Sequence, residues 1–359
     1  MARSIRDFAR RRIHAGRYAP DIHGNAGILA RRLGDGEFPV IYTTIGDRYP
    51  LGAANYVGRI IGDRPALFLP FFTWASHGKP AVERSRRAIS VYRNRRPQHR
   101  FVFACNSESE RAAHAAAGLD AILCNHNAFV DEAIFTAGDA PILYDAVYNA
   151  GMVGWKRREL SELVASCAHI TYWASGLTSA EALDLLSEFR RRMPHHHFAN
   201  PVIDGQIIQL QAVDVAAILS QCRCGLALSA VEGAMFASIE YLLAGLPVVS
   251  TPSVGGREEF ADPDYWLTVP AEAKAVAAGV SEMISRGISR EDIHNRTVER
   301  MKEHRRRLRD TVAQSTDGAV LLPADLGDTT YRFMTDIVPW PRAADLENLL
   351  GLRGLRQNR

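Results

Sequence analysis

The chain has 359 residues and a formal net charge of +3 at pH 7, from 43 lysine and arginine and 40 aspartate and glutamate side chains. That length allows about two domains with separate cores. The 5 cysteines, scattered along the chain, indicate a reducing compartment rather than a disulfide framework. No apolar run reaches the roughly 18 to 20 residues that span a bilayer, and no apolar core follows the basic amino terminus. We therefore expect a cytoplasmic protein.

Short apolar runs alternate with longer amphipathic segments from residue 38 onward. This alternation is typical of parallel sheets with helical crossovers. In the first half, strands are predicted at Pro39 to Ile45, Ala66 to Phe71, Phe101 to Cys105 and Ala121 to Cys124, and helices at Ala53 to Ile61, Val82 to Tyr92, Ser109 to Ala117 and Ala128 to Phe135. These elements predict one small doubly wound domain that ends near Gly138.

A second series of elements begins near Pro141. Its strands are predicted at Ile142 to Val147, Ile170 to Trp173, Gly225 to Leu228 and Pro247 to Ser250, and its helices at Lys156 to Ser166, Ser179 to Arg192, Val213 to Gln221 and residues 234 to 244. A charged amphipathic helix is predicted from Arg290 to Thr311. The apolar residues between Thr329 and Trp340 predict a closing segment that packs back on the fold.

The stretch from Cys224 to Gly256 combines a buried strand, a turn, a helix and a second strand. Two carboxylates, Glu232 and Glu240, stand eight positions apart within it. The turn between the first strand and the helix presents backbone N–H groups at the positive end of the helix dipole, which is a common phosphate site. Glu232 lies in that turn, and Glu240 lies about two helical turns further on.

These residues resemble a known family. The E-x7-E pattern of Glu232 and Glu240, the run from Ala244 to Val249 (Ala-Gly-Leu-Pro-Val-Val) and the pair Gly255-Gly256 resemble the donor-binding domain of retaining GT-B glycosyltransferases of the group 1, or family 4, type. The resemblance is specific from about Leu219 to Asp262. It implies an α/β fold with two Rossmann-like domains that face an interdomain cleft.

The implied domains are an acceptor-side domain at residues 1–138, a donor-binding domain at 139–325 and the closing segment at 326–359. The first of them resembles the family least. In it, the stretch from Gly46 to Gly52 is the candidate for the family's glycine-rich opening loop.

A second match lies upstream, where Tyr148-Asn149-Ala150 follows a strand and Lys156-Arg157 opens the next segment. In the family, this strand, loop and helix carry a basic pair that holds the donor diphosphate. The resemblance implies that Lys156 or Arg157 has this role. The family's usual glycine-arginine is replaced here by Asn149-Ala150, which leaves the second phosphate-binding cation unassigned.

The resemblance also implies a role for each residue of the E-x7-E unit. Glu240 accepts hydrogen bonds from the ribose hydroxyls, while Glu232 faces the sugar. The amides from Gly233 through Ala234 and Met235 to Phe236 face the sugar and the distal phosphate. Fixed N–H dipoles and Lys156 or Arg157 stabilise the leaving phosphate without a metal ion or other cofactor. A solvated surface helix is the competing explanation for the glutamates, and a solvated helix face is an equally common one for Lys156.

Histidines are a further group of candidate site residues. Family members place a histidine of the first domain against the donor sugar, and His126 or His77 is the candidate here. A lone loop histidine is more often polar surface. The tract His195-His196-His197 is interpreted as a solvated loop, because three consecutive side chains do not readily converge on one metal ion.

Two groups of arginines stand out, Arg3, Arg6, Arg10, Arg11, Arg12 and Arg17 in the first twenty residues, and Arg93, Arg95, Arg96 and Arg100 further on. Solvated helix faces are their commoner explanation. The functional alternative is peripheral contact with anionic lipid head groups at the inner face of the membrane, or with an anionic glycan acceptor. No nucleic-acid partner is expected, because no binding module or interleaved aromatic pattern accompanies the arginines.

The sequence thus favours a retaining, metal-independent hexosyltransferase whose partners are a nucleotide-sugar donor and the hydroxyl of a glycan, lipid-linked or small-molecule acceptor. Two alternatives stay open. One is a sugar-nucleotide 2-epimerase of related fold. The other is a catalytically inactive protein that binds a nucleotide-sugar or glycan. Oxidoreductase and hydrolase signatures are absent, since the sequence has no G-x-G-x-x-G after a strand, no G-x-S-x-G and no H-E-x-x-H.

Overall fold

The computed structural model describes residues 30–33, 38–45, 50–51, 54–172, 177–324 and 326. The chain divides into two compact units. Unit 1 takes in Met1–Phe129 and Glu303–Arg359, and unit 2 is Val130–Lys302. The sequence had suggested boundaries after residues 138 and 325, so the packing assigns the last described residues to unit 1.

Several of the predictions lie outside the described residues. They concern the arginines of the first twenty residues, the Gly46 to Gly52 loop apart from Pro50 and Leu51, and the closing segment apart from Leu326.

Unit 1 is built on one sheet. Its strands are β1 (Ala30–Leu33), β2 (Val40–Ile45), β3 (Ala66–Phe72), β4 (His99–Phe101), β5 (Phe103–Cys105) and β6 (Ala121–Leu123), and its first helices are α1 (Ala54–Ile61), α2 (Lys79–Arg93) and α3 (Glu108–Ala116). The strand order is β1-β2-β3-β5-β6, and β4 also pairs with β3. β1 is antiparallel to β2, and the other pairs are parallel.

The centre of this sheet is β3, in which all seven residues are buried. Such a continuous apolar run is expected in a parallel strand that is covered on both faces. Phe68 of β3 stacks on Phe101 of β4, with ring centroids 5.0 Å apart. Phe72 stacks on Phe103 in the same way, at 5.7 Å. These aromatic pairs join neighbouring strands through their side chains as well as their backbones.

Unit 2 contains a second sheet and a small hairpin. Its strands are β7 (Tyr144–Asn149), β8 (Cys167–Ile170), β9 (His197–Phe198), the hairpin β10 (Val202–Ile203) and β11 (Gln206–Ile207), then β12 (Cys222–Ala227), β13 (Val248–Ser250) and β14 (Trp266–Thr268). The helices are α4 (Ser179–Arg192), α5 (Ala212–Ser220), α6 (Phe236–Leu243), α7 (Ala273–Ser285) and α8 (Arg290–Ser315), the last of which continues into unit 1.

The main sheet of unit 2 has the order β9-β8-β7-β12-β13-β14, with every pair parallel. Numbered along the unit, the strands follow the 3-2-1-4-5-6 order of the Rossmann fold. Successive strands are added on one side of the first strand up to the third, and on its other side from the fourth onward. The fold class predicted from the sequence is confirmed, since both units are Rossmann-like α/β structures.

Several predicted elements agree closely with the structure, among them α4, whose bounds match residue for residue. Its start is a capping box, in which Thr178 and Glu181 bond to each other's backbone N–H groups. The structure also adds elements that the sequence did not suggest, namely β1, the short strands β9 to β11, β14 and α7.

Three predicted elements are wrong. The helix expected at Ala128 to Phe135 is a single 3-10 turn, His126–Phe129. The helix expected at Lys156 to Ser166 is two 3-10 turns, Gly154–Lys156 and Arg158–Ser161. It cannot be one helix because Arg157, between the turns, is left-handed with φ 51°. The strand expected at Ile170 to Trp173 lies earlier in the chain, as β8, which ends at Ile170, and Trp173 is outside the described residues.

The second arginine cluster is largely engaged in ion pairs. Arg93, Arg96 and Arg100 lie 3.4, 3.1 and 3.1 Å from Asp120, Asp63 and Asp317, respectively. None of the helices within the described residues is long and apolar enough to cross a membrane.

Candidate functional site

The reversal of strand order between β7 and β12 indicates where unit 2 binds a ligand. In open parallel sheets, the crevice forms at the carboxyl ends of the two strands on either side of such a reversal. Asn149 is the last residue of β7, and Lys156 follows it in the first 3-10 turn. Glu232 lies in the loop between β12 and α6. The topology therefore places both sequence motifs at the same crevice.

Helix α6 packs unusually close to β12, because Gly225 has no side chain. A Cβ atom on Gly225 would lie 2.3 Å from the ring of Tyr241. The hydroxyl of Tyr241 in turn accepts a hydrogen bond from the backbone N–H of Asn149 at 2.6 Å. The buried tyrosine thus ties α6 to the end of β7, and it fixes the position of its neighbour Glu240.

Glu240 projects toward the end of β7, where the side-chain amide of Asn149 donates to Oε2 at 3.1 Å. Burial raises the pKa of Glu240 to about 7, and the hydrogen bond from Asn149 opposes the rise. The carboxyl group therefore gains or loses its proton near pH 7. It has capacity to accept further hydrogen bonds, which is what a ligand hydroxyl requires.

Lys156 and Glu232 form a buried ion pair between Nζ and Oε1. Their side chains are 9% and 7% exposed, so neither is the solvated surface group that the sequence allowed. The carbonyl of Lys156 accepts a hydrogen bond from the hydroxyl of Tyr148, which is also buried. Two residues from separate motifs, 76 positions apart, are therefore in direct contact.

Arg157 does not share this pair. Its left-handed backbone directs the side chain across the ends of β12 and β13. The guanidinium donates to the carbonyl of Leu228 at 2.6 Å, to the hydroxyl of Thr251 at 2.8 Å and to the carbonyl of Pro252 at 3.2 Å. Lys156 and Arg157 are adjacent in sequence but occupy different surroundings.

The loop between β12 and α6 is held by the segment that follows β13. Glu232 donates its N–H to the carbonyl of Val254 at 2.9 Å, and Gly233 accepts from the N–H of Gly256 at 2.7 Å. Gly255, with φ 126°, sits so close that a Cβ atom would lie 1.8 Å from the carbonyl oxygen of Glu232. Close backbone contact therefore requires a glycine at position 255.

The remaining predicted donor-site residues lead into α6. Ala234 and Met235 are buried, and Phe236 is half-buried as the first residue of the helix. Met235 caps the helix with φ 59°, a left-handed conformation that costs a residue other than glycine about 1 to 2 kcal/mol. Strain of this kind persists where the surrounding structure over-determines it, and it is common at ligand sites.

The predicted histidines both belong to unit 1. His126 opens the 3-10 turn after β6, and burial lowers its pKa to about 4, so the ring is neutral at pH 7. Its backbone N–H donates to Asn106 Oδ1 at 3.2 Å, and the Asn106 amide donates to the carbonyl of Phe72 at 2.7 Å. Asn106 thereby joins the carboxyl ends of β3, β5 and β6. His77 is half-buried in the loop after β3.

Beside the crevice, a chain of hydrogen bonds runs from Arg158 into the interior of unit 2. Arg158 donates to His169 Nδ1 at 2.8 Å, and His169 Nε2 lies 3.0 Å from His196 Nδ1. Because arginine only donates, His169 must carry its proton on Nε2 and donate it to His196. His196 Nε2 then donates to the carbonyl of Val164 at 2.9 Å. Both rings are neutral, and every ring nitrogen is used.

This chain of bonds bears on the histidine tract. Cys167, His169 and His196 offer ligand atoms within 4.8 Å of one another. A metal ion there would displace the hydrogen bonds of both rings, so the donor set does not fit a cation. The interpretation of residues 195–197 as a solvated loop is wrong for His196, which is buried, whereas His195 and His197 are exposed.

Comparison with known proteins gives a family match for part of unit 2. Residues 202–300 match the family model described as glycosyl transferases group 1. No curated protein sequence matches the chain significantly.

Solved structures resemble most of the chain. HepE (Alr3699) of Anabaena in complex with UDP matches with a TM-score of 0.54 and 14% identity, over 76% of this chain and 78% of that one. The same protein with UDP-glucose gives 0.53, with the same identity and coverage. TarM, of S. aureus, matches with a TM-score of 0.52 and 14% identity, over 76% of this chain and 54% of its own. Residues 202–300 of unit 2 are therefore similar to the group 1 glycosyl transferases, and the chain has the GT-B type of fold with two Rossmann-like domains.

Proposed function

We propose that the chain is a glycosyltransferase that moves a hexose from a nucleotide-sugar to an acceptor hydroxyl, with retention of the anomeric configuration. The observation that carries the proposal is the contact between Lys156 and Glu232 at the switch point of a Rossmann sheet. A cation, a carboxylate and a helix amino terminus in one crevice suit a ligand that joins an anionic diphosphate to a polyhydroxylated sugar.

In this proposal, Glu240 accepts hydrogen bonds from the ribose, which its position beside Asn149 supports. Glu232 reads the sugar hydroxyls. Lys156 turns from Glu232 toward the diphosphate when the donor arrives, while Arg157 keeps its bonds to the ends of β12 and β13. The residues from Gly233 to Phe236 bring the positive end of α6 to the distal phosphate.

The proposed chemistry is a displacement on one face of the sugar. The acceptor oxygen bonds to the anomeric carbon as the bond from that carbon to the phosphate oxygen breaks, and the acceptor proton passes to the departing phosphate oxygen. Negative charge grows on the diphosphate during this step. Lys156 and the N–H dipoles of α6 stabilise it, so we expect no metal requirement. His126, neutral at pH 7, stays the proposed histidine for the donor sugar.

The decisive experiment incubates the protein with a panel of UDP-, GDP- and ADP-sugars and measures nucleotide release, with and without candidate acceptors. UDP is the first nucleotide to test, because HepE was crystallised with UDP and UDP-glucose. Nucleotide release should require an acceptor and persist in EDTA, and the product should keep the anomeric configuration of the donor by NMR. No nucleotide release with any donor, or full activity in Glu240→Gln, rules the assignment out.

Two alternatives are separated by the same assay. A sugar-nucleotide 2-epimerase would convert the donor without an acceptor. An inactive binding protein would bind the nucleotide and release none. A glycan or lipid-linked acceptor, and contact with an anionic membrane surface, stay proposals. A vesicle-binding assay with and without phosphatidylglycerol tests the membrane contact.

A further inference from the structure

The proposed donor site contains less free positive charge than its sequence suggests. Lys156 is already neutralised by Glu232, whereas Arg157 keeps its charge, because the oxygens that bind it at the ends of β12 and β13 are neutral. The position where the family resemblance calls for a second phosphate-binding cation holds Ala150. A diphosphate carries more than one negative charge, so a positive group besides Arg157 is needed at this crevice.

Arg257 is such a group. It follows Gly255-Gly256 in the segment that holds the Glu232 loop, and it is 1% exposed. Its guanidinium donates to the carbonyl of Ser229 at 2.8 Å, to the hydroxyl of Ser250 at 2.9 Å and to the carbonyl of Thr251. Arg257 thus spans the carboxyl ends of β12 and β13, at the base of the loop that carries Glu232.

The charge of Arg257 is poorly compensated. Its nearest carboxylate is that of Glu258, at 3.6 Å, and that side chain is 45% exposed. Its Nε atom is buried without a hydrogen-bond partner among the described residues. A buried cation bound mainly to neutral oxygens is expensive unless an anion approaches it. Burial lowers the pKa of Arg257, and the carboxylates of Glu258 and Glu232 oppose this shift, so Arg257 lies within electrostatic reach of the crevice.

We propose that Arg257 is the second positive charge of the donor site. It acts as a positioning residue. It binds the backbone at the start of the Glu232 loop and raises the electrostatic potential where the diphosphate binds, without touching the donor. The inference rests on the proposed function and deepens it, since it accounts for the missing cation. Binding should then depend on Arg257 for the phosphate part of the ligand and not for the nucleoside part.

The chain contains a control in Arg290, a half-buried arginine of unit 2. Arg290 donates to the carbonyls of Leu219, Ser220 and Cys222 at 3.1, 2.9 and 3.3 Å. These groups lie before and at the start of β12, so Arg290 binds the amino edge of the sheet, whereas Arg257 binds its carboxyl edge. The two side chains do similar structural work at opposite ends of one strand.

The experiment measures the affinities of the full-length protein for UDP and for uridine by calorimetry, with GDP and guanosine or ADP and adenosine as replacements if the donor panel selects another base. In Arg257→Gln, the ratio of nucleoside diphosphate to nucleoside affinity should fall roughly tenfold or more. Arg257→Lys, which keeps the charge, should recover most of that ratio. Arg290→Gln should lower the melting temperature and leave the ratio as in the wild type.

Three outcomes overturn the inference. One is an unchanged ratio in Arg257→Gln, and another is an equal fall in Arg290→Gln. The third is a ratio in Arg257→Lys as low as in Arg257→Gln. If Arg257→Gln does not fold, the comparison of Arg257→Lys with wild type across salt concentrations decides, because a retained charge keeps the salt dependence of UDP binding. A wild-type protein that binds none of the nucleotides overturns the proposed function together with this inference.

Discussion

Lys156 and Glu232 form a buried ion pair whose coupling energy can be measured. Both are buried, so removing one leaves the other as an uncompensated charge. We expect Lys156→Met to lower the free energy of unfolding by about 3 kcal/mol, and the double variant with Glu232→Leu to lose far less than the sum of the two single changes. Urea denaturation measures all three variants.

The exposed pair of Lys302 and Glu299 provides the control for this cycle. Its side chains are 58% and 70% exposed, so Lys302→Met should cost less than about 0.5 kcal/mol. Additive losses at Lys156 and Glu232 would show that the two charges are not coupled in solution.

The carboxyl group of Glu240 should make the stability of the folded protein depend on pH. The pKa of its carboxyl is about 7 in the folded protein against an ordinary value of 4.5, so the folded state holds this proton more tightly than the unfolded state does. Stability should therefore fall as pH rises between about 4.5 and 7, and then level off. Glu240→Gln should remove this component, seen as the difference between the two pH profiles of urea midpoints. Parallel profiles would contradict the raised pKa.

At the scale of elements, the turn after β13 is the most sensitive part of the site. Gly255→Ala would push a Cβ atom into the carbonyl of Glu232 and also strain a backbone at φ 126°. We expect a loss of about 2 to 4 kcal/mol in unfolding free energy and a loss of donor binding, because the Glu232 loop must move. Denaturation and nucleotide titration measure the two effects.

Gly287→Ala is the matched variant for this turn. Gly287 also has a positive φ, 60°, but a Cβ atom there would meet nothing within 4 Å. It should cost only about 1 kcal/mol of backbone strain and leave nucleotide binding intact. Equal effects of the two variants would show that close contact with Glu232 does not matter.

The helices also show which structural elements can be predicted from local sequence patterns and which cannot. α4 was predicted to the residue because its capping box and amphipathic pattern lie within one segment. The segment after β7 was predicted as a helix because Lys156, Arg157 and Arg158 look like a solvated face. Lys156 and Arg158 are instead buried and Arg157 is half-buried, and residues from other segments of unit 2 bind all three. No local pattern contains those partners.

At the scale of the whole molecule, each unit has its own sheet and core, so heating should produce two unfolding transitions. A nucleotide at about one hundred times its dissociation constant should raise the transition of unit 2 by roughly 5 to 10 °C and leave the other in place. Phe68→Ala, a change in the core of unit 1, should instead lower the temperature of the unit 1 transition. Differential scanning calorimetry follows both, and one transition that responds to both changes would contradict independent unfolding.

The sequence by itself determined the alternation of strands and helices, the two Rossmann-like units and the candidates Glu232, Glu240 and Lys156, because hydrophobic periodicity and short motifs are local properties. It also contained Arg257 and Tyr241 but assigned them no role, since nothing near them in sequence distinguishes them. Only the tertiary structure decided that Lys156 pairs with Glu232, that Tyr241 ties α6 to β7, and that His196 is buried. Each of these depends on parallel strands that bring residues tens of positions apart to one edge of a sheet, where burial sets the energy of every charge.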